Sequence, residues 1–229
     1  MQDEDLRPSF HNELQELEHR TLEGLDLVVG QLDRALESLA DQNVEVAELV
    51  VVEDDLIDGR YLEVQQGVLS LIARQSPVAG DLRLVAAILH VIRSVERMGD
   101  QCVNIAKLVP LSGYEAVKDG DIAEMVERMG GLAHSQVSLA KEVFAARDVD
   151  RAHELVRQDH EINQLNREIF RRAVEVGSDA EVREWAMFMI LVARFLERIG
   201  DNAVEIAEQT VFIVTGLFRE LSEASPTHR

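Results

Sequence analysis

Apolar residues recur at intervals of three and four along almost the whole chain, the period that lines one face of an α-helix, and the pattern breaks where turn formers cluster. Six long helices follow. The first spans about 9–39 and the second about 42–75. Ser76-Pro77 then has the form of an N-cap followed by proline at the first helical position, opening a third helix that runs to about 109. The segment LVPLSGYEAVKDG, residues 108–120, holds a proline and two glycines and reads as the linker, with its core at 112–120. Beyond it come a fourth helix at about 121–146 and a fifth at about 149–176, with Asp148 as its cap. A sixth opens at about 179 and ends near Gly216. Ser178 and Glu181 have the spacing of a capping box at its start. A polar tail closes the chain at 217–229.

The layout repeats. ERMGDQCVNIAK at 96–107 returns as ERIGDNAVEIAE at 197–208, identical at seven of twelve positions and 101 residues later. Upstream, D-x-x-I-D at 54–58 corresponds to D-x-x-I-N at 159–163, 105 residues later, so four residues are missing between the second and third helices of the second copy. The fold class expected is all α: two tandem, similar three-helix bundles at 9–111 and 121–216, whose short connections make neighbouring helices antiparallel.

Composition agrees with helices: only 4% of residues are aromatic and 46% are hydrophobic, against the β-branched and aromatic richness of sheets. Forty-three acidic and 23 basic residues leave a formal charge of -20, which repels a nucleic-acid backbone in the absence of a basic face. A single cysteine, Cys102, excludes an intramolecular disulfide, and MQDEDLRPSF lacks the basic and apolar regions of a signal peptide. A cytoplasmic location is therefore expected. The longest apolar run, AMFMILVA at 186–193, is far below the roughly 20 residues that span a bilayer, so any membrane association goes through a partner.

The acidic excess gains meaning from its spacing. At 100° per residue, Glu96, Asp100 and Asn104 share one stripe at the edge of the apolar face of the third helix. Gly99 lies inside the apolar arc, where alanine would favour the helix by about 1 kcal/mol, which points to close approach of a neighbouring helix. The second copy offers Glu197, Asp201 and Glu205, with Gly200 matching Gly99. The second and fifth helices contribute Asp54 with Asp58 and Asp159 with Asn163. Two such oxygen pairs meeting across one helix interface supply four or five ligands for a hard cation. Solvated acidic faces and helix-surface ion pairs are the competing explanation.

Other chemistry is weaker. Glu16 and His19 have the E-x-x-H spacing of di-metal carboxylate enzymes without the second copy that such a site needs. His90 reads as a core histidine, and Trp185, Met187, Phe188 and Met189 as core or dimer surface. No phosphate-binding G-x-x-x-x-G-K loop occurs.

SPVAGDLRLVAAI, SVERMGDQCVNIAK and ARFLERIGDNAVEIAEQTVFIVTG resemble the PhoU family over roughly residues 10–216, repeat included. The resemblance implies a duplicated three-helix bundle, often dimeric. It also implies a cytoplasmic, non-enzymatic role as accessory regulator of the phosphate-specific ABC transporter and negative regulator of the phosphate-starvation response. The partners implied are the transporter's ATPase subunit and a sensor histidine kinase. The family's metal motifs map onto Glu96 with Asp100 and Glu197 with Asp201, opposed by Asp54 with Asp58 and Asp159 with Asn163. The cofactors implied are metal ions: iron, Mn, Mg, Ca or Zn. The family's DLR maps onto Asp81, Leu82 and Arg83, a candidate partner contact, where the second copy has EVR at 181–183. Asn163 weakens the second opposing motif, so unequal sites are expected. Two other readings stay open: a di-metal carboxylate helical enzyme, and a structural helical adaptor that binds no metal.

Overall fold

A computed structural model describes residues 6–75, 77–112, 119–218 and 220–221. Among them are six α-helices: α1 (Leu6–Asp41), α2 (Val44–Arg74), α3 (Ala79–Leu108), α4 (Gly120–Ala146), α5 (Val149–Glu175) and α6 (Ala180–Thr215). A 3-10 turn, Val109–Leu111, ends α3, and there is no strand among the described residues. The chain is all α, as its periodicity predicts.

Capping residues fix most of the starts. The Asn43 side chain accepts from the Val46 amide at 3.1 Å, Asp119 from Ile122 at 3.1 Å and Asp148 from Arg151 at 3.0 Å, each satisfying a donor that the first turn leaves open. Two expected caps are corrected. Helix α3 begins at Ala79 with Val78 as an N-cap that makes no side-chain hydrogen bond; Pro77 precedes the helix, and Ser76 lies outside the described residues. Helix α6 is capped by Asp179, not Ser178: its carboxylate takes both the Glu181 and Val182 amides, at 2.9 and 3.3 Å. A carboxylate one residue nearer the helix is also the better partner for its positive end.

Helices α1, α2 and α3 pack on one another, as do α4, α5 and α6. Helix α3 also lies along α6, and α1 along α4. One continuous core runs through both triplets, with Leu25, Leu32, Ile88, Ile92, Ile105, Phe144 and Leu155 fully buried. Each such side chain contributes roughly 1.5–3 kcal/mol on burial. Polar contacts span the α1–α4 seam: the ion pairs of Lys141 with Asp26 at 2.5 Å and Arg147 with Glu18 at 2.7 Å, and a hydrogen bond between His134 Nδ1 and Asp33 at 2.7 Å.

The proposed linker and tail fall largely outside the description: 113–118, 219 and 222–229 are not described. What is described of the tail is not simply polar surface. Leu221 is buried, and its amide donates to Glu208 at 2.8 Å. Phe218 stacks on Phe212 with ring centroids 3.8 Å apart. His90 is also corrected: it is exposed, because the buried line of α3 runs through Ile88, Val91, Ile92 and Val95 and turns position 90 outward. Trp185 and Met189 are core, whereas Met187 is exposed. No described helix is long and apolar enough to cross a membrane.

Candidate metal centre

The first-half residues come together where α2 crosses α3. Asp54 stands over Gly99: a Cβ built on Gly99 would meet Asp54 Oδ1 at 3.0 Å and Ile57 at 3.1 Å. The glycine in ERMGD therefore makes room for a half-buried carboxylate and the isoleucine one turn on. Burial, as the largest cause, pushes the Asp54 carboxyl above its ordinary range; a Gln31 hydrogen bond works against it, and Asp58 and Asp100 add to it. Asp100 is raised by burial and then by Asp58, with Lys107 opposing. Glu96 is raised by burial and then by Asp100, with Arg93 opposing and Asp58 adding. Thus Asp54, Glu96 and Asp100 lie close enough to carboxylates of the facing helix for Asp58 on α2 and Asp100 on α3 to act across the interface. Asn104 follows on the same stripe, half-buried.

The second half is built from the same parts with a different outcome. Asp159 stands over Gly200, where a Cβ would meet Asp159 Oδ1 and Gln136 Oε1, each at 2.8 Å. Asn163 donates its amide to Asp159 Oδ2 at 2.6 Å, so the position that carries Asp58 in the first half supplies a hydrogen-bond donor here. Glu197 is ion-paired with Arg194 along α6. Asp201 is raised by burial first, held down by Arg194 and Arg198 and pushed up by Glu205; these charges lie on its own helix. Glu205 reaches away from α5 to α3, accepting from Ser94 Oγ at 3.0 Å and from Arg97 at 3.4 Å. It does not complete a stripe facing Asp159.

Two residues escaped the sequence reading. Gln31 on α1 donates Nε2 to Asp54 Oδ1 at 3.0 Å and to the Val50 carbonyl at 3.2 Å. Gln136 on α4 donates Nε2 to Asp159 Oδ1 at 3.4 Å. Both side chains are 2% exposed, and the Oε1 of each is buried without a partner. They are separated by the same 105 residues as Asp54 and Asp159, so carrying the repeat back into the first helix of each half would have found them. Each half thus contains a glutamine, an aspartate and a glycine from three successive helices.

Chemically, the first half offers several carboxylate oxygens and a buried, unpartnered amide oxygen, the donor types of a hard cation. Among the described residues no three His, Cys, Asp or Glu side chains converge on one point; the donor set fits in kind without being closed into a cage. The second half has one buried aspartate already held by two amides and one glutamate held by an arginine. Cys102 is buried, and burial pushes its thiol far up. Glu16 pairs with Arg20 and His19 with Glu23, both as exposed i, i+4 contacts on α1. Of the DLR residues, Asp81 lies 3.9 Å from His11. Arg83 packs against Gly216, the left-handed C-cap of α6.

Comparison with known proteins gives one consistent result. The sequence pattern of the PhoU domain matches residues 22–109 and again 126–210. The chain is 30% identical to a phosphate-specific transport system accessory protein PhoU homolog of Clostridium acetobutylicum, over 95% of this chain and 99% of that one. It is 33% identical to PhoU homolog 1 of Thermotoga maritima, over 90% and 89%. The crystal structure of the phosphate transport system regulatory protein PhoU from Streptococcus pneumoniae superposes with a TM-score of 0.85 at 28% identity, covering 93% of this chain and all of that one. That of PhoU from Pseudomonas aeruginosa gives 0.81 at 27% identity, covering 91% and 100%.

Proposed function

Because this chain belongs to the PhoU family, we propose that it is a non-enzymatic accessory protein of a phosphate transport system that binds metal ions through the α2–α3 carboxylates. Its relatives carry the names of accessory and regulatory proteins, not of enzymes. In this reading it acts in the cytoplasm, on the ATPase subunit of a phosphate transporter and on a phosphate-sensing histidine kinase, as a dimer, and restrains the phosphate-starvation response.

One observation carries the metal reading: Asp54, Glu96 and Asp100 are each raised by burial and by neighbouring carboxylates, and among the described residues no arginine or lysine forms an ion pair with them as Arg194 does with Glu197. Half-buried like charges at this density favour a proton or a metal ion between them. A bound cation supplies the missing positive charge. Asp54, Asp58, Glu96 and Asp100 are the residues that hold it, with Gln31 fixing Asp54 through its amide. Neutralised in this way, α2 and α3 become one rigid face for docking.

Metal content by elemental analysis of protein purified without chelator tests the site, and a phosphate-regulated reporter in the host tests the role. Asp100→Ala with Asp201→Ala is expected to lose metal and to derepress the reporter. Wild-type metal content in that double variant removes the assigned site, while a metal-depleted variant with normal reporter control separates metal binding from regulation.

A further inference from the structure

The α5–α6 pair carries a groove of about 530 Å³ that lies apart from the α2–α3 carboxylates and meets the second stripe only through Arg194. Its walls follow helix spacing. Arg167, Phe170 and Arg171 lie on one face of α5, and Ile190, Leu191 and Arg194 on one face of α6. Phe170 is 56% exposed and Leu191 44%. Val174 and Met187 continue the apolar surface one turn further along each helix, both exposed. In a chain of net charge -20, the charged side chains that line this apolar trough are all arginines. Arg171 and Arg194 pair along their own helices with Glu168 and Glu197, and Arg167 has no ion pair among the described residues.

The first half shares the rim of this surface, with Leu89, Arg93 and Leu69 at the positions of Ile190, Arg194 and Val174, but not its centre. By the same offsets of 105 and 101, Phe170 corresponds to Gln65, Arg171 to Gln66 and Leu191 to His90. There Gln65 donates to the Tyr61 hydroxyl at 3.0 Å, so polar groups satisfy each other at the place where the second half presents bare aromatic surface. A solitary exposed apolar residue is ordinary, but a concave apolar cluster lined by several arginines marks a binding surface.

We propose that the α5–α6 groove receives an acidic amphipathic helix of a partner protein. Its apolar residues at i and i+3 or i+4 would rest on Phe170 and Leu191, and its carboxylates would face Arg167, Arg171 and Arg194. A trough between two helices accepts a third helix by the same packing that builds the bundle, and no described strand offers an edge for an extended peptide. The overall negative charge disfavours both nucleic acid and an anionic bilayer. The proposal stands whether or not the carboxylates bind metal.

The test uses the full chain and two labelled helical peptides of about 18 residues with identical leucine spacing, one flanked by glutamates and the other by lysines. Anisotropy titration is expected to show binding of the glutamate peptide alone, weakening as salt screens the arginines. Arg167→Glu and Phe170→Ala, both surface changes whose folding is checked by melting, should each reduce affinity at least tenfold. Leu62→Ala, the first-half counterpart of Arg167→Glu, should leave it unchanged. Equal binding of the two peptides, or variants within twofold of wild type, overturns the proposal. So does loss of self-association on sedimentation, or loss of anionic-vesicle binding, caused by Phe170→Ala, which would assign the groove to a second copy or to a membrane.

Discussion

The two halves share a fold, a glycine and a buried glutamine–aspartate pair, yet they dispose of negative charge differently. In the first, Asp54, Glu96 and Asp100 are raised by burial and by the neighbouring carboxylates, Asp58 and Asp100 among them. In the second, Asn163 donates to Asp159, Arg194 takes Glu197, and Glu205 crosses to Ser94 and Arg97 on α3. The difference comes from a handful of positions. Asn163 replaces an acid with an amide, and Glu205 stands where the first copy has Asn104. The two copies share a scaffold, but the acids of the second are engaged in internal connections while those of the first form no ion pair among the described residues, so in the proposed reading it is the first half that takes an external cation.

Removing the carboxylates half by half breaks this comparison most directly. Asp54→Asn with Asp100→Asn is expected to cut bound metal at least tenfold, whereas Asp159→Asn with Asp201→Asn changes it less than twofold. Titration of the chelator-treated protein with Mn²⁺, followed by calorimetry, gives the stoichiometry. Equal losses in the two double variants would show that the halves are equivalent and that the amide at 163 is no handicap.

The glycines probe the shared part. Alanine gains about 1 kcal/mol of helix propensity over glycine, but overpacking a filled site costs about 1–3 kcal/mol. At Gly200 the new Cβ meets two buried oxygens at 2.8 Å; at Gly99 the nearest atoms are at 3.0 and 3.1 Å. Gly200→Ala is expected to destabilise by about 2 kcal/mol and Gly99→Ala by about 1 kcal/mol, measured by urea unfolding. A stabilised Gly200→Ala would mean that Asp159 and Gln136 yield freely and that the triad is loose.

Much of this was readable beforehand, for reasons that differ by residue. The helices and the α2–α3 meeting of Asp54 with Asp100 follow from period and spacing, since i, i+4 carboxylates must share a face. Gly99 could be assigned to close helix approach, though not to Asp54 as the group it accommodates. Gln31 and Gln136 were hidden because a lone glutamine on an amphipathic helix carries no local signal; only its recurrence at the repeat offset marks it. Glu205 was placed with Asp201 by the helical wheel, and correctly so, but α3 supplies its partners, and contact between halves leaves no trace in periodicity. Asp179 displaced Ser178 as cap because sequence motifs tolerate a one-residue shift that the chain resolves by which oxygen reaches two amides.

Acid titration sharpens the comparison with a smaller effect. Asp54, Glu96 and Asp100 have raised values in the fold. For a carboxyl raised on folding, the contribution to stability is fully present below its unfolded value and is lost as pH rises through its folded value. Metal-free protein is therefore expected to melt higher as pH falls from neutral toward the ordinary carboxylate range, and bound metal should flatten that slope. Asp100→Asn should flatten it as well, in the absence of metal. Asp201 is raised too, but with two arginines opposing, so Asp201→Asn should change the slope less. Identical slopes for the two variants would place the excess charge elsewhere on the surface.

The smallest change asks whether the second half is held back by one arginine. Arg194 and Glu197 form a partly exposed i, i+3 pair, and such pairs contribute at most about 0.5 kcal/mol, so Arg194→Ala should scarcely alter the melting temperature. Its electrostatic consequence is larger than its structural one. Without the guanidinium, Glu197 loses its partner and Asp201 loses the cation that most opposes its upward shift, whereas the equivalent Arg93 of the first half acts on Glu96 without an ion pair among the described residues. A weak Mn²⁺ event in the second half should then strengthen by roughly fivefold, the equivalent of about 1 kcal/mol, with first-half binding unaffected. If Arg194→Ala leaves the second half silent while Asn163→Asp in the same background awakens it, the amide rather than the arginine separates the two halves.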